Sequence, residues 1–184
     1  DWAKVNTTGP IFDLAKLNAL NGHYIRALSA AELADRVVAY AVREGQWTAP
    51  SEADVALLRQ AVPLVQERLV LLSEAVPKLA YLFTADSDLV IEPDALAKAG
   101  PDAARVVDAA TAALTGLGEW NHETIQAALR EALVDGLGIK PKFAFGPVRL
   151  AVTGSTVSPP LFESMELLGR ESSLARLGKL RELL

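Results

Sequence analysis

"FGPVRLAVTG", residues 145–154, is the stretch on which the fold turns. It is short, rich in β-branched residues and bounded by glycine, so propensity alone allows a strand. A strand needs a partner, and no second run of this kind stands elsewhere in the chain. The stretch is therefore expected to be helical, and the protein all-α. Its surroundings are unusual. Gly146-Pro147, Gly154 and Pro159-Pro160 punctuate two apolar segments, and one arginine, Arg149, sits among Val148, Leu150, Ala151 and Val152 beside the Gly-Pro turn signal. Ser158-Pro159 has the form of a helix start, a cap residue followed by proline at the first helical position. That helix carries Leu161, Phe162, Met165 and Leu168 to a stop at Gly169. A last helix, over 170–184, turns Leu174, Leu177 and Leu180 or Leu184 inward.

Upstream, residues 1–12 read as an extended lead-in ending at Gly9-Pro10. Asp13 can cap a helix with Leu14, Leu17, Leu20 and Tyr24 at helical spacing, weakened at Asn21-Gly22. Ser29 and Glu32 form a capping box that opens the next helix, to about Gly45. Ser51 repeats the start signal, with Glu52 and Asp54 at the positive end of the helix. Pro63 kinks that helix or splits it in two. A shorter helix, "PKLAYLF", ends near Thr84, and "TADSDLVIEPD" is the best internal boundary. Two longer helices are expected over about 93–115 and 121–136, the second capped by Asn121.

The chain has 184 residues, 51% hydrophobic and 22% charged, which suits one domain or two small ones sharing an interface. It has no cysteine, so neither a disulfide framework nor a thiolate metal site exists. No apolar run approaches the ~18 residues of a membrane span. The opening Asp1-Trp2 follows no charged-then-apolar leader and reads as an excision point inside a longer polypeptide. Net charge is −5, which argues against a strongly basic nucleic-acid binder. The charge is uneven, however. Residues 140–184 hold seven Lys and Arg against four Asp and Glu, whereas residues 1–139 hold eleven against nineteen.

No catalytic set emerges. His23 and His122 lie far apart, and neither has a carboxylate or hydroxyl at a telling spacing, so both read as helix-end histidines. No phosphate-cradling glycine motif occurs. Asp and Glu stand mostly at helix starts and on helix faces. Trp2, Trp47 and Trp120 are isolated and suit a core or lid better than a base-stacking platform. The residues describe a binding module. Arg149 is its sharpest feature, because a guanidinium offers a planar donor fork to base edges or phosphate. A proline-stiffened loop beside it can present backbone groups to an unstacked base. The plainer alternative is that Arg149 pairs with a carboxylate while Pro159-Pro160 merely starts a helix.

"PVRLAVTGSTVSPPLFESMELLGRE" followed by "LARL" resembles the C-terminal signature of bacterial glutamyl-tRNA synthetases, which are class I aminoacyl-tRNA synthetases. That pattern runs Pro-Leu-Arg-x-Ala-[Leu/Val]-Thr-Gly, then a proline-containing segment, then Leu-Gly-[Arg/Lys]-Glu. Pro147, Arg149, Ala151, Thr153, Gly154, Pro160 and Leu168 to Glu171 fall in place, and Val148 departs from the usual Leu. "KVNTTGPIFDLAKLNALNGHYIR" and "PKLAYLFTADS" resemble two further segments of the family, so the likeness spans nearly the whole chain. The family's two ATP-binding motifs are absent, and "GHYIR" does not replace the first.

The resemblance implies a helical cage of two small subdomains, here 31–83 and 84–184, after a lead-in over 1–30 from the stem-contact region. It implies anticodon recognition on tRNA-Glu by a cytoplasmic, monomeric protein, without membrane contact. The catalytic half, with ATP and Mg, would lie upstream, leaving this part inactive and free of cofactor or metal. Arg149 is expected to bond an anticodon base. Ser158, Pro159, Pro160 and Leu161 would line the pocket. Arg68, counted back from Tyr81-Leu82-Phe83, stands where part of the family reads the third anticodon base and rejects tRNA-Gln. A helical protein-interaction scaffold derived from the same domain is the alternative. An open concave face shared by Arg149 and Arg68 separates the two from a buried ion pair.

Overall fold

The computed structural model describes residues 13–184, so the expected lead-in and its Gly9-Pro10 turn lie outside the described residues. Within them the chain is helical throughout, without a strand. Local signals set most helix starts. Asp13 accepts from the Lys16 amide (3.0 Å) and opens α1 (Leu14–Ala27). Ser29 and Glu32 close a capping box on α2 (Ala30–Arg43), and Ser51 and Asp54 close another on α3 (Glu52–Ala61). Pro63, which cannot donate an amide, ends that run and starts α4 (Pro63–Gln66). A 3₁₀ turn (Leu72–Glu74), α5 (Ala75–Leu79) and a second 3₁₀ turn (Ala80–Leu82) complete the first half.

Two expectations about α1 change. The helix runs unbroken through Asn21-Gly22, because the pair serves tertiary contact instead of a turn. Gly22 is buried with the Leu69 carbonyl 3.4 Å from where a Cβ would stand, and the Asn21 amide donates to the Val70 carbonyl. The stripe of Leu14, Leu17, Leu20 and Tyr24 faces outward, at 62, 46, 51 and 63% exposure, while Ile25 points into the core.

In the second half, the helix expected over 93–115 is two, α6 (Pro93–Ala97) and α7 (Ala103–Thr115). Gly100 between them takes a left-handed φ of 88°, and Pro101 follows with no amide to continue a ladder. Asn121 caps α8 (His122–Leu129), which passes into a π-helical segment, Arg130–Gly136. The decisive stretch is helical, as α9 (Pro141–Thr153). Gly146-Pro147 is therefore no turn but lies inside that helix. Then come α10 (Leu161–Leu168) and α11 (Arg170–Leu183), with Leu177 and Leu180 buried and Leu184 exposed.

Two apolar cores result. One gathers Ile25, Leu33, Val37, Leu58, Val65, Leu69 and Leu79, with Trp47 packed against Phe83 (4.7 Å between ring centroids). The other gathers Val107, Leu114, Ile125, Leu133, Val148, Met165 and Leu177 from α7 to α11. Leu168 packs against both. The strongest link between them is Arg176, only 1% exposed. Its guanidinium donates to the carbonyls of Tyr81 (3.0 Å), Thr84 (2.8 Å) and Val152 (2.8 Å), and to Asp86 Oδ1 (2.6 Å). Lys179, one turn on, adds bonds to the carbonyls of Ser87 (2.7 Å) and Leu89 (2.9 Å). His122 also has a partner that its sequence neighbourhood concealed: its Nδ1 lies 2.7 Å from Glu166 Oε2, 44 residues on.

Arg176→Ala leaves three carbonyls and a carboxylate without their shared donor. It is expected to cost about 3–5 kcal/mol, the scale for breaking a buried charged group's partnership, measured as a lowered urea midpoint. The hydrogen bond that His122 donates to the Glu166 carboxylate, followed by the nearby carboxylate charge, raises the His122 pKa above its ordinary 6.5. A raised folded-state value means stability that is fully present below the unfolded pKa and lost as pH rises through the folded one. The His122→Gln variant is therefore expected to be less stable than the parent at pH 5, and the gap should narrow as pH climbs above 6.5 and through the raised folded-state value. A pH-independent gap between the two unfolding curves would rule this out.

Candidate nucleic-acid interface

Gly154 turns the chain out of α9 with φ 71°, a conformation costly for any residue with a Cβ. It also sits against the connection between the two halves, since a Cβ there would lie 2.6 Å from the Val90 carbonyl. The loop beyond it is held by short side-chain bonds. The Thr153 hydroxyl donates to the Arg149 carbonyl (2.9 Å) and accepts from the Ser155 amide (3.3 Å), while Ser155 Oγ accepts from the Val157 amide (3.2 Å).

Arg149 leaves α9 beneath this loop. Its Nη1 donates to the Ser158 hydroxyl and to the Pro159 carbonyl (3.0 Å), and the Ser158 hydroxyl donates to that same carbonyl (2.9 Å). This corrects the expected helix start. Ser158 does not cap α10, because its hydroxyl is committed to Arg149, and the helix begins two residues later with Pro160 at the cap position. The Ser164 hydroxyl donates to the Pro160 carbonyl (2.6 Å) and accepts from Tyr81 Oη (2.7 Å). Burial pushes the Tyr81 phenol up to about 12, so it stays a neutral donor.

Arg68 follows α4 in an exposed turn, its amide bonded to the Val65 carbonyl (2.8 Å). It faces Arg149 across a recess of about 250 Å³ walled by Thr156, Val157, Ser158, Pro159 and Pro160. The recess opens on a larger cleft of about 800 Å³ that reaches Pro77, Tyr81, Thr84 and Thr153. That is within the ~300–1,000 Å³ common for ligand sites. Arg68, Arg149, Ser158, Pro159 and Pro160 thus come together. Leu161 does not join them: it is 3% exposed and packs in the second core beneath the wall.

Burial, and then the charge of Arg68, lower the Arg149 pKa, though far too little to discharge a guanidinium. Among the described residues neither arginine is in an ion pair, and Nε and Nη2 of Arg149 make no hydrogen bond to the protein. Two unneutralised cations and idle planar donors suit an electron-rich ligand edge. Sequence reasoning did not single out Thr156 and Val157. The signal for Val157 is an apolar residue in a Ser/Thr run, and it stands 82% exposed at the loop tip.

Comparison with known proteins agrees with this geometry. The family model described as "Anticodon binding domain" matches residues 32–181. The chain belongs to that family. This anticodon-binding domain is 54% identical, over 96% of its own length, to the glutamate–tRNA ligase of Acidothermus cellulolyticus, and 53% identical, over 98%, to that of Kineococcus radiotolerans. It spans about 36% of the length of each, the C-terminal part, and holds no counterpart of their catalytic half. A solved glutamate tRNA ligase from Elizabethkingia meningosepticum superposes over the whole chain, and over 35% of its own, with a TM-score of 0.78 at 22% identity, a likeness of fold.

The domain's loop depends on one backbone position. Gly154→Ala combines a left-handed φ with contact against the Val90 carbonyl, and is expected to destabilise by about 1–3 kcal/mol or more. The check is a thermal melt beside Gly178→Ala on α11, where an added Cβ meets nothing within 4 Å.

Proposed function

We propose that this domain reads the anticodon of tRNA-Glu as part of a glutamate–tRNA ligase. The observation that carries the reading is the convergence of Arg149 and Arg68 on one open recess, with neither in an ion pair among the described residues. Arg149 is the better placed reader. Its Nη1 is held by Ser158 and Pro159, leaving Nε and Nη2 for a base edge. The Ser158-Pro159-Pro160 wall offers a stiff surface against which an unstacked base can rest. Arg68, on the opposite rim, meets a second base or the phosphate between two. Leu161 supports the wall from below.

In this reading the domain carries out no chemistry. Residues 31–83 and 84–184 act as two subdomains that grip the loop, and residues 1–30 lead in from the stem-contact region. ATP and Mg belong to the catalytic half of the same polypeptide. The ligase is monomeric and cytoplasmic, and among the described residues no helix is long and apolar enough to cross a membrane.

The test is binding of the chain to an RNA stem-loop bearing the glutamate anticodon at low salt, beside stem-loops with single anticodon substitutions. Arg149→Ala is expected to lose about 1–3 kcal/mol on the cognate loop, the scale of one bidentate base contact, and to lose preference at one anticodon position. Arg68→Ala should relax a different position. Equal binding of every loop by the parent protein would sink the reading.

A further inference from the structure

Two features of the site go beyond what an anticodon base requires. The first is charge. Arg149 is half-buried, Arg68 faces it from an exposed turn, and among the described residues neither is in an ion pair. The rest of the recess wall, Thr156 to Pro160, holds no acidic residue. Two like charges meet there, one of them partly withdrawn from water, and the arrangement costs free energy until an anion joins it.

The second is size. The cleft on which the recess opens is about 800 Å³, more than three times the 250 Å³ of the recess. Its wall is largely apolar, with Leu64, Val65, Pro77, Tyr81, Leu89 and Val90. Two carboxylates also line it, but Glu74 is paired with Lys78 (3.3 Å) and Asp88 accepts from Ser87 Oγ (2.9 Å).

Each feature selects one end of a ligand. Two guanidiniums, each with one positive charge and a planar donor fork, match the charge of about −1.5 to −2 and the three terminal oxygens of a phosphate monoester. Arg149 has Nε and Nη2 idle, and Thr156 adds a hydroxyl to the same wall. A carboxylate brings half that charge. An apolar body attached to the phosphate gains by leaving water for the cleft. We infer that recess and cleft together form a small-molecule site for a phosphate monoester with an apolar body. The phosphate lies between Arg149 and Arg68, and the body lies against Tyr81 and Val90. Occupied, the site excludes RNA from the cleft. That exclusion, but not the site itself, rests on the anticodon-reading role of the cleft.

The experiment titrates hexyl phosphate, inorganic phosphate and hexanol into the chain at pH 8 and constant ionic strength, beside Arg149→Ala, Arg68→Ala and Val90→Asn. Hexyl phosphate is expected to bind one per chain and at least tenfold more tightly than inorganic phosphate, the gain from burying about two methylene groups. Hexanol should show no measurable affinity. Both arginine variants should weaken hexyl phosphate and inorganic phosphate alike, by about tenfold. Val90→Asn should weaken hexyl phosphate severalfold and leave inorganic phosphate unchanged. Arg68 and Val90 are exposed, so their variants keep the test open should Arg149→Ala unfold. Less than a tenfold advantage for hexyl phosphate, unchanged binding in Arg68→Ala, or a Val90→Asn variant that loses neither ligand or both equally overturns the site. A labelled glutamate anticodon stem-loop then separates the two readings, and its displacement by hexyl phosphate is expected. Base discrimination on the stem-loop with no binding of hexyl phosphate overturns the site and leaves the cleft reading intact. Discrimination that persists under saturating hexyl phosphate overturns the exclusion and the cleft reading together, while the site stands.

Discussion

The buried guanidinium of Arg176 is the constraint on which the rest of the structure depends. A charge so far from water is tolerable only when each donor direction finds an acceptor, and here a carboxylate and three carbonyls provide them. Those acceptors are not local. Tyr81, Thr84 and Asp86 belong to the connection leaving the first core, and Val152 belongs to α9 of the second. Any shift of one core against the other opens at least one of these bonds. The cleft is subject to the same tie, since Tyr81 lies in its wall and Val152 is three residues from Arg149. A group with no direct part in the cleft thereby fixes its width.

Features set within a few residues were legible in the sequence. Ser29 with Glu32, Ser51 with Asp54 and Asn121 with Thr124 close their boxes inside one helical turn, and Pro63 divides a helix by what its own ring forbids. Features that depend on distant partners were not. Nothing near Arg176 in the sequence announces Tyr81 or Val152, and nothing near His122 announces Glu166. The outward Leu14, Leu17, Leu20 and Tyr24 carry a helical period that is the same whether a stripe faces in or out. At the site, Arg149 and the Ser158-Pro159-Pro160 wall stood out by residue type before the family resemblance assigned them a role, whereas Arg68 came from the resemblance alone. The capping role expected of Ser158 gave way to a stronger, charge-assisted bond. Leu161 is apolar and next to the loop, but only the packed core shows that it points inward.

The charge distribution also acquires a physical sense. An acidic surface of net charge −5 repels RNA broadly, so attraction is confined to where cations lack counter-charges. Arg68 and Arg149 form such a place. Phosphate contacts add affinity without regard to sequence, while base edges give discrimination. A domain that keeps its cations few and grouped lets the second effect stand out from the first.

Arg149 is held before any ligand arrives. One nitrogen is already bonded to Ser158 and Pro159, and the side chain is clasped under a loop whose hydroxyls are themselves paired. Free arginine side chains have roughly 2 kcal/mol of rotamer entropy to lose, and here much of that loss occurs when the protein folds. The consequence is one of tempo. In the proposed function, a stiff Arg149 tests each arriving base in the pose it already holds, so a poor match dissociates before the surroundings can accommodate it. On that proposal, speed of rejection, as much as strength of capture, follows from that one loop.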